Sequence, residues 1–164
     1  MGAGKSTVGK ILAKKLNRNF IDTDVLIEMK LDKSISKIFL EKGEKYFREI
    51  ESGVVKEVAL KDNFVIALGG GAIIRQENWE VIKKSGIIIY LKWDIKSLIS
   101  RIFGDKKRPL VQEKIGATGK YEIKKLLCER EPFYESADII LNCENKMPPV
   151  QIADKIVCAL HEKR

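Results

Sequence analysis

Apolar residues follow two different patterns along this chain. Continuous apolar runs occur in "NFIDTD", "FVIALGGGA", "GIIIYLK" and "DIILNC". Such runs are typical of parallel strands that are buried on both faces. Between them, apolar residues recur every three or four positions, as Val8, Ile11, Leu12 and Leu16 do, which predicts amphipathic helices. The pattern therefore predicts an α/β fold in which a parallel sheet forms the middle of three layers, with helices on both faces.

Turn and capping residues divide the helical segments. The segment from "VLIEMK" to "VKEVAL" is predicted to be helical, with breaks near Asp32 and Gly43. Ser34 precedes "ISKIF" and is a candidate N-cap. Pro132 lies within the helical segment "KYEIKKLLCEREPFYESA", which we expect it to break, because proline has no backbone N–H and its ring clashes with the preceding turn. The stretch "GDKKRPLVQEKIGATG" reads as a polar loop.

Length and composition indicate one globular domain over residues 1–164. Hydrophobic residues make up 45% of the 164 residues and charged residues 33%. No apolar run approaches the roughly 20 residues that a membrane span needs, so we expect no membrane association. The N-terminus does not resemble a secretory signal. Three distant cysteines (Cys128, Cys143 and Cys158) form no CxxC motif. We interpret them as reduced thiols of a cytoplasmic protein.

The net charge of +8 leaves several classes of partner open. Nucleic acids, membrane surfaces and anionic small molecules all favour a basic protein. The basic residues are spread along the chain, and aromatic residues, at 7%, are not interleaved with them as in a stacking platform for single strands. We therefore expect no nucleic-acid partner. The plainest interpretation is a solvated surface rich in lysine. Such a surface is compatible with a positive potential that favours multiply charged phosphates.

The opening stretch "MGAGKSTVGK" has the composition of a phosphate-binding loop. Glycines allow backbone N–H groups to curl around an anion at a helix N-terminus, where the dipole also favours negative charge. A lysine at this position reaches the β- and γ-phosphates, and the next hydroxyl can ligate Mg²⁺. The first glycine of the full motif would precede Met1, so only its second half can be checked. The candidate ATP-binding residues are Gly2, Ala3, Gly4, Lys5, Ser6 and Thr7.

Two further candidates lie at the ends of predicted strands. Asp22 and Asp24 are two residues apart, so their carboxylates point the same way from the sheet edge, where open α/β sheets bind ligands. One could hold Mg²⁺ through water, and the other could accept a proton from a substrate hydroxyl. The alternative is that Asp24 caps the next helix. Gly69, Gly70 and Gly71 follow another strand, and the lack of side chains would let a ligand approach the backbone.

Four arginines are candidate anion ligands, each with a plainer alternative. Arg48 could bind a carboxylate or phosphate, or form an ordinary surface ion pair. Arg108 lies in the polar loop, which could be a lid that stabilises charge on a transferring phosphoryl group, or simply a solvated loop. Arg101 could lie over a nucleotide base or face solvent. Arg130 could be turned towards the cleft by the break at Pro132, or face solvent.

Taken together, these residues resemble the shikimate kinase family. The carriers are "MGAGKSTVGK", "FIDTDVLIE", "GEKYFREIE", "ALGGGA", "RPL" and "REPFYESAD", in the family's order and spacing from residue 2 to about residue 138. The resemblance implies a P-loop kinase fold of the nucleoside-monophosphate-kinase type. It also implies ATP-dependent phosphorylation of the 3-hydroxyl of shikimate to shikimate 3-phosphate, in the chorismate pathway of aromatic amino acid synthesis.

The resemblance also implies residue roles. Residues 2–7 would hold the ATP phosphates, with Mg²⁺ bound by Ser6 and supported by Asp22 through water. Lys5 and Arg108 would stabilise the transferred phosphoryl group, and Arg101 would lie near the adenine. The substrate region would span about residues 24–52 and the lid about 104–120. Asp24 would accept or orient the hydroxyl proton, and the shikimate ligands would be Asp24, Arg48, Gly70, Gly71 and Arg130. We expect a monomer whose partners are ATP and shikimate.

Two other functions remain as alternatives: a kinase-like binding or regulatory protein without activity, and a related small-metabolite kinase of the gluconate type. The family has an apolar central strand before the phosphate loop, which this chain lacks. Such a strand buries roughly four apolar side chains, or roughly 6–12 kcal/mol, which is comparable with the total stability of about 5–15 kcal/mol for a typical domain. We therefore expect the natural protein to begin upstream of Met1. As written, we expect the chain to bind ATP poorly.

Overall fold

The apolar runs of the sequence form parallel strands. The computed structural model describes residues 2–104, 117–144 and 147–163. The polar loop with Arg108 lies outside the described residues. In chain order the elements are α1 (Lys5–Lys15), β1 (Asn19–Asp22), α2 (Thr23–Leu31), α3 (Ile35–Ala59), β2 (Phe64–Ala67), a 3-10 turn (Ala72–Ile74), α4 (Gln76–Ser85), β3 (Ile89–Trp93), α5 (Ile95–Gly104), α6 (Ala117–Tyr134), β4 (Ile139–Cys143) and α7 (Pro149–Glu162).

Local signals set the helix boundaries as predicted. α2 ends at Asp32, which adopts the left-handed conformation with φ of 49°. Ser34 caps α3, because its hydroxyl oxygen accepts a hydrogen bond from the Lys37 N–H at 3.3 Å. Gly43 interrupts α3 with φ of 78° and ψ of 173°. The kink at Gly43 divides α3 into two helical parts, and the second part carries Arg48.

The predicted break at Pro132 is wrong. α6 continues through Pro132 to Tyr134. The proline lies in the last turn of the helix. Its missing N–H costs one hydrogen bond, close to the helix end where the backbone carbonyls have no intrahelical partners in any case. The helix therefore keeps Arg130 and Tyr134 one turn apart on the same face.

Helices cover the strands on both faces and bury three apolar clusters. The first joins α1 and α7 to β3, with Val8, Leu12 and Ile156 each less than 5% exposed. The second packs α2 and α3 against β1 and β2, around Ile27 and Phe47. The third lies where α3 meets α4. The α/β class with a layered arrangement is therefore confirmed. No helix in the described part of the chain has the length and apolar character needed to cross a membrane.

A gap divides the sheet in two. β1 pairs with β2 in parallel, with Asn19 opposite Phe64, and β3 pairs with β4 in parallel, with Ile89 opposite Ile139. Within the described ranges the two pairs do not join. A cavity of about 590 Å³ lies between β2 and β3, and residues of α1, α3, α4 and α7 also line it. The cavity has the position of a strand between the two helical layers.

Candidate active site

Glycine conformation shapes the phosphate loop. Gly2 and Gly4 have φ of 71° and 79°, in the left-handed region that other residues rarely adopt. Gly4 is the N-cap of α1 and has no side chain to occupy the helix end. The first turn of α1 contains no acidic residue. The backbone N–H groups at this helix N-terminus and the positive end of the helix dipole therefore favour an anion at this position.

Trp93, at the end of β3, and Arg101, in α5, lie beside the phosphate loop. The Trp93 indole Nε1–H donates a hydrogen bond to the Ala3 carbonyl at 3.1 Å. The Arg101 guanidinium lies over the same indole, 3.5 Å from the ring centroid. Arg101 therefore lies beside the loop, where its expected role near the adenine stays a prediction.

Ser6 and Asp22 meet at the start of α1. The Ser6 hydroxyl donates a hydrogen bond to one oxygen of the Asp22 carboxylate. The other oxygen caps α2 by accepting from the Asp24 and Val25 N–H groups at 3.0 and 3.4 Å. The cap is therefore Asp22, and the alternative in which Asp24 caps this helix is wrong. Because the cap is two residues earlier, the Asp24 side chain is available to the cleft.

Asp24 and Glu51 crowd the backbone at Gly69. A Cβ atom on Gly69 would lie 2.5 Å from Asp24 Oδ1 and 2.9 Å from Glu51 Oε1. Burial raises the pKa of the Asp24 carboxyl, and the nearby charge of Asp22 raises it further, while Lys5 lowers it in part. Burial also raises the pKa of Glu51, against the effect of Arg48. Both carboxyl groups therefore hold protons more readily than exposed ones do.

Arg48 lies in the cleft. Its side chain is 17% exposed, and its Nη1 contacts Glu51 Oε2 at 2.7 Å. Its Nε and Nη2 donate to Glu44 Oε1 at 3.1 and 3.0 Å. A Cβ atom on Gly71 would lie only 2.3 Å from Nη1. The interpretation of Arg48 as an ordinary surface ion pair is therefore wrong, because one of its partners is buried and its guanidinium packs on a glycine.

Arg130 reaches the same region from α6. Its Nε is buried and has no hydrogen-bond partner among the described atoms. Burial raises the pKa of the Tyr134 hydroxyl, and the charge of Arg130 lowers it in part, so the two side chains lie close together. A cavity of about 120 Å³ lies beside this pair, and Lys5, Gly70 and Tyr134 are among the residues that line it. The structure therefore brings Arg130 to the cleft, although the predicted helix break is not the cause.

Three residues with contacts in the site were not predicted from the sequence. Glu51 is 1% exposed and orients Arg48. Thr23 is fully buried, donates to the Ala67 carbonyl at 3.3 Å and accepts from the Gly69 N–H at 2.9 Å. Tyr134 donates to the Gly70 carbonyl at 2.6 Å. The spacing of three between Arg48 and Glu51 on one helix was a usable signal. Thr23 and Tyr134 contact the glycine loop from distant positions in the sequence. No local sequence pattern predicts such contacts.

This arrangement defines a P-loop phosphotransferase. A helix N-terminus with lysine and serine meets carboxylates and arginines at the carboxyl ends of parallel strands. The family model for shikimate kinase matches residues 1–161, and the chain belongs to the shikimate kinase family.

Relatives and a solved structure agree with this assignment. Shikimate kinase from a Nostoc species is 40% identical over 160 residues, which cover 98% of this chain and 86% of the relative. Shikimate kinase from a Sulfurihydrogenibium species is 38% identical over 163 residues, which cover 99% and 95%. The structure of shikimate kinase from Acinetobacter baumannii in complex with shikimate is similar with a TM-score of 0.90 at 36% identity, and covers 100% of this chain and 90% of that one.

Proposed function

We infer that this chain phosphorylates the 3-hydroxyl of shikimate with ATP, as its family does. The observation that carries this inference is the placement of Asp24, Arg48 and Arg130 around Gly69, Gly70 and Gly71. This cluster lies next to Lys5, whose charge acts on Asp24. A polyhydroxylated carboxylic acid needs cations for its carboxylate and an oxygen acceptor for its hydroxyls, and both are present.

Binding of ATP rests on the N-terminus of α1. We propose that residues 2–7 bind the phosphates through backbone N–H groups, while Lys5 adds positive charge at the β- and γ-phosphates. Arg101 would lie towards the adenine from its position on Trp93. Arg108 would stabilise charge on the transferred group, although it lies outside the described residues.

Shikimate binding rests on the arginines and the glycine loop. We propose that Arg48 and Arg130 bind the carboxylate, because paired guanidinium groups suit a planar anion. Gly70 and Gly71 would present backbone groups to the ring. Asp24 would orient the 3-hydroxyl and accept its proton. The raised pKa of Asp24 makes its carboxylate a stronger base than an exposed aspartate, which suits it to accept a proton.

The residues present also fit Mg²⁺. Ser6 and Asp22 contribute hydroxyl and carboxylate oxygens in direct contact, and Mg²⁺ prefers such hard oxygen ligands with few protein contacts. Within the ranges described, no group of three or more His, Cys, Asp or Glu side chains could hold a metal ion alone. This suits a metal shared between protein and phosphates. Bound there, Mg²⁺ would neutralise charge on the phosphates.

We further propose that the enzyme acts as a monomer in the cytoplasm and without nucleic acid. The cysteines support a reducing compartment, because Cys128, Cys143 and Cys158 are all free thiols, two of them exposed. Basic side chains also enter many local ion pairs, such as Lys15 with Asp154 at 2.7 Å.

Turnover with shikimate tests the proposed function. ADP release is measured with ATP, Mg²⁺ and shikimate, and in parallel with gluconate and with other hydroxylated carboxylic acids. We expect turnover with shikimate and a loss of about two to four orders of magnitude in kcat for Asp24→Asn. ATP binding without turnover of any acceptor would favour a regulatory protein, and preference for gluconate would favour the other kinase class.

A further inference from the structure

Tyr134 has a partly buried hydroxyl group to which the family resemblance gives no role. The residue lies at the C-terminal end of α6, packs with the apolar cluster between α3 and α4, and stacks near Tyr90 with ring centroids 5.2 Å apart. The ring contacts account for the aromatic part of the side chain. They do not account for the hydroxyl, which reaches past them to the glycine loop.

The hydroxyl joins two parts of the substrate region. It donates its single proton to the Gly70 carbonyl at 2.6 Å. Its oxygen can still accept a hydrogen bond, and the nearby charge of Arg130 offsets in part the rise that burial causes in the pKa of this hydroxyl. Arg130 and Tyr134 are four residues apart on α6, so both side chains lie on one face of the helix. A phenylalanine would fill the same space but would remove the hydrogen bond to Gly70 and the oxygen acceptor near Arg130.

Fixing the Gly70 carbonyl also fixes the neighbouring N–H. The carbonyl of Gly70 and the N–H of Gly71 belong to one planar peptide group and point in opposite directions. Glycines on both sides place no side chain in the way of a rotation of this plane. Backbone hydrogen bonds hold the loop from within, since the Ala72 and Ile74 N–H groups donate to the Gly69 and Gly71 carbonyls at 3.1 and 3.2 Å. Thr23 accepts from the Gly69 N–H at 2.9 Å. Tyr134 adds a side-chain hydrogen bond to the carbonyl between them, that of Gly70.

Both parts held by Tyr134 belong to the proposed shikimate site. Arg130 Nε is buried and has no partner among the described atoms. Few contacts therefore fix the orientation of this arginine. Gly71 packs directly on the Arg48 guanidinium. A rotation of the Gly70–Gly71 peptide would therefore disturb both arginines.

We propose that Tyr134 is a positioning residue for shikimate, which orients the Gly70–Gly71 peptide and the Arg130 side chain through one hydroxyl group. The proposal rests on the proposed function. It deepens that function by adding a residue that acts through the substrate ligands and not on the substrate itself.

Tyr134→Phe tests the proposal, with Tyr90→Phe as the matched control. Loss of the hydrogen bond to Gly70 and of the oxygen acceptor near the charged Arg130 predicts a rise of about tenfold or more in KM for shikimate. We expect kcat to change by less than about threefold, and KM for ATP to stay constant, because the phosphate loop is untouched. Calorimetric titration with shikimate should show the same loss of affinity. Tyr90→Phe removes a hydroxyl from the neighbouring ring and should leave KM for shikimate unchanged.

The outcomes separate this proposal from the proposed function. If the unaltered chain does not turn over shikimate, the proposed function fails. If it does, and Tyr134→Phe leaves KM for shikimate and the calorimetric affinity unchanged, only the positioning role is overturned. A fall in kcat together with a rise in both KM values, accompanied by a lower melting temperature, would also overturn it, because a general loss of structure would then explain the effect.

Discussion

At the scale of single residues, Gly71 shows how tightly the substrate region is packed. Alanine at this position would place a Cβ atom only 2.3 Å from Arg48 Nη1, so the guanidinium would have to move. The end of a long side chain can move, so we expect Gly71→Ala to fold. The displaced guanidinium should, however, raise KM for shikimate by about tenfold or more, as expected for the loss of a charged hydrogen bond. Steady-state kinetics with each substrate varied measure this effect.

Gly53→Ala provides the control for Gly71→Ala. Gly53 lies in α3, and a Cβ atom there would meet nothing within 4 Å. Alanine has the better helix propensity by up to about 1 kcal/mol, so this variant should be at least as stable as the original chain and equally active. Unchanged shikimate kinetics in Gly71→Ala would show that Arg48 does not need its present position.

The candidate site was predictable from sequence only in part. Asp22 and Asp24 could be found because they follow an apolar run. The expectation that strand alternation gives both carboxylates one direction is wrong, because β1 ends at Asp22 and Asp24 lies in the first turn of α2. Approach of a ligand to the glycine run stays a prediction. The structure shows that protein side chains already lie against this run: Asp24 and Glu51 at Gly69, and Arg48 at Gly71. Such contacts depend on how α2, α3 and the loop pack, which no local pattern encodes.

At the scale of secondary-structure elements, Gly9 sets how closely α1 approaches β1. A Cβ atom on Gly9 would lie 2.6 Å from Cε2 of Phe20. Gly9→Ala should therefore destabilise the protein by about 1–3 kcal/mol, as overpacking commonly does. It should also weaken ATP binding, because α1 carries Lys5 and Ser6. Urea unfolding and calorimetry measure the two effects.

A second substitution checks the cause of that destabilisation. Phe20→Leu removes the ring, so in the double variant the cost of Gly9→Ala should largely disappear. If the two costs simply add, the helix and the strand do not meet through this pair, and the explanation fails.

The elements themselves were largely predictable. All four apolar runs form strands, and the breaks at Asp32 and Gly43 occur where turn residues indicated them. These features depend on local conformational preference. The effect of Pro132 was wrongly predicted because it depends on distance from the helix end, and α6 ends only two residues later, at Tyr134.

At the scale of the whole molecule, the buried carboxyl group of Asp24 ties stability to pH. Its pKa in the folded protein lies above the ordinary value of 3.8. The folded state therefore holds more protons than the unfolded state as pH rises through this range, and the free energy of unfolding falls. Asp24→Asn removes this effect. Its stability advantage should grow from about pH 4 upward, as measured by urea unfolding at several pH values.

Comparing the two proteins isolates Asp24 from other groups. Asp94 and Glu41 have lowered pKa values because of their hydrogen bonds to Ser97 and Lys33, and their stabilisation is lost as pH falls. These groups act equally in both proteins. Parallel pH profiles would mean that Asp24 ionises in the folded state as it does in the unfolded chain.

The gap between β2 and β3 leads to a prediction about an extended chain. We expect one apolar strand, added before Met1, to fill the cavity of about 590 Å³ and pair with both free edges. The phosphate loop would then be held from its N-terminal side, so ATP affinity and stability should both rise. Calorimetry and urea unfolding of the extended and original chains measure this.

A polar extension of equal length serves as the control, because it cannot enter an apolar cavity without losing its hydration. Equal ATP affinity in the original chain and in the chain with the apolar extension would show that the loop does not need a neighbouring strand. The cavity's volume and lining follow only from the packing of the helices.

The contact between Trp93 and Ala3 has a practical consequence for following the enzyme at work. The chain has only two tryptophans, and the Trp93 indole donates to the backbone of the phosphate loop while Arg101 stacks on its ring. Indole emission responds to hydrogen bonding and to nearby charge. In a Trp79→Phe background, the fluorescence of Trp93 would therefore give a built-in optical signal for loop movement in real time, without any attached dye.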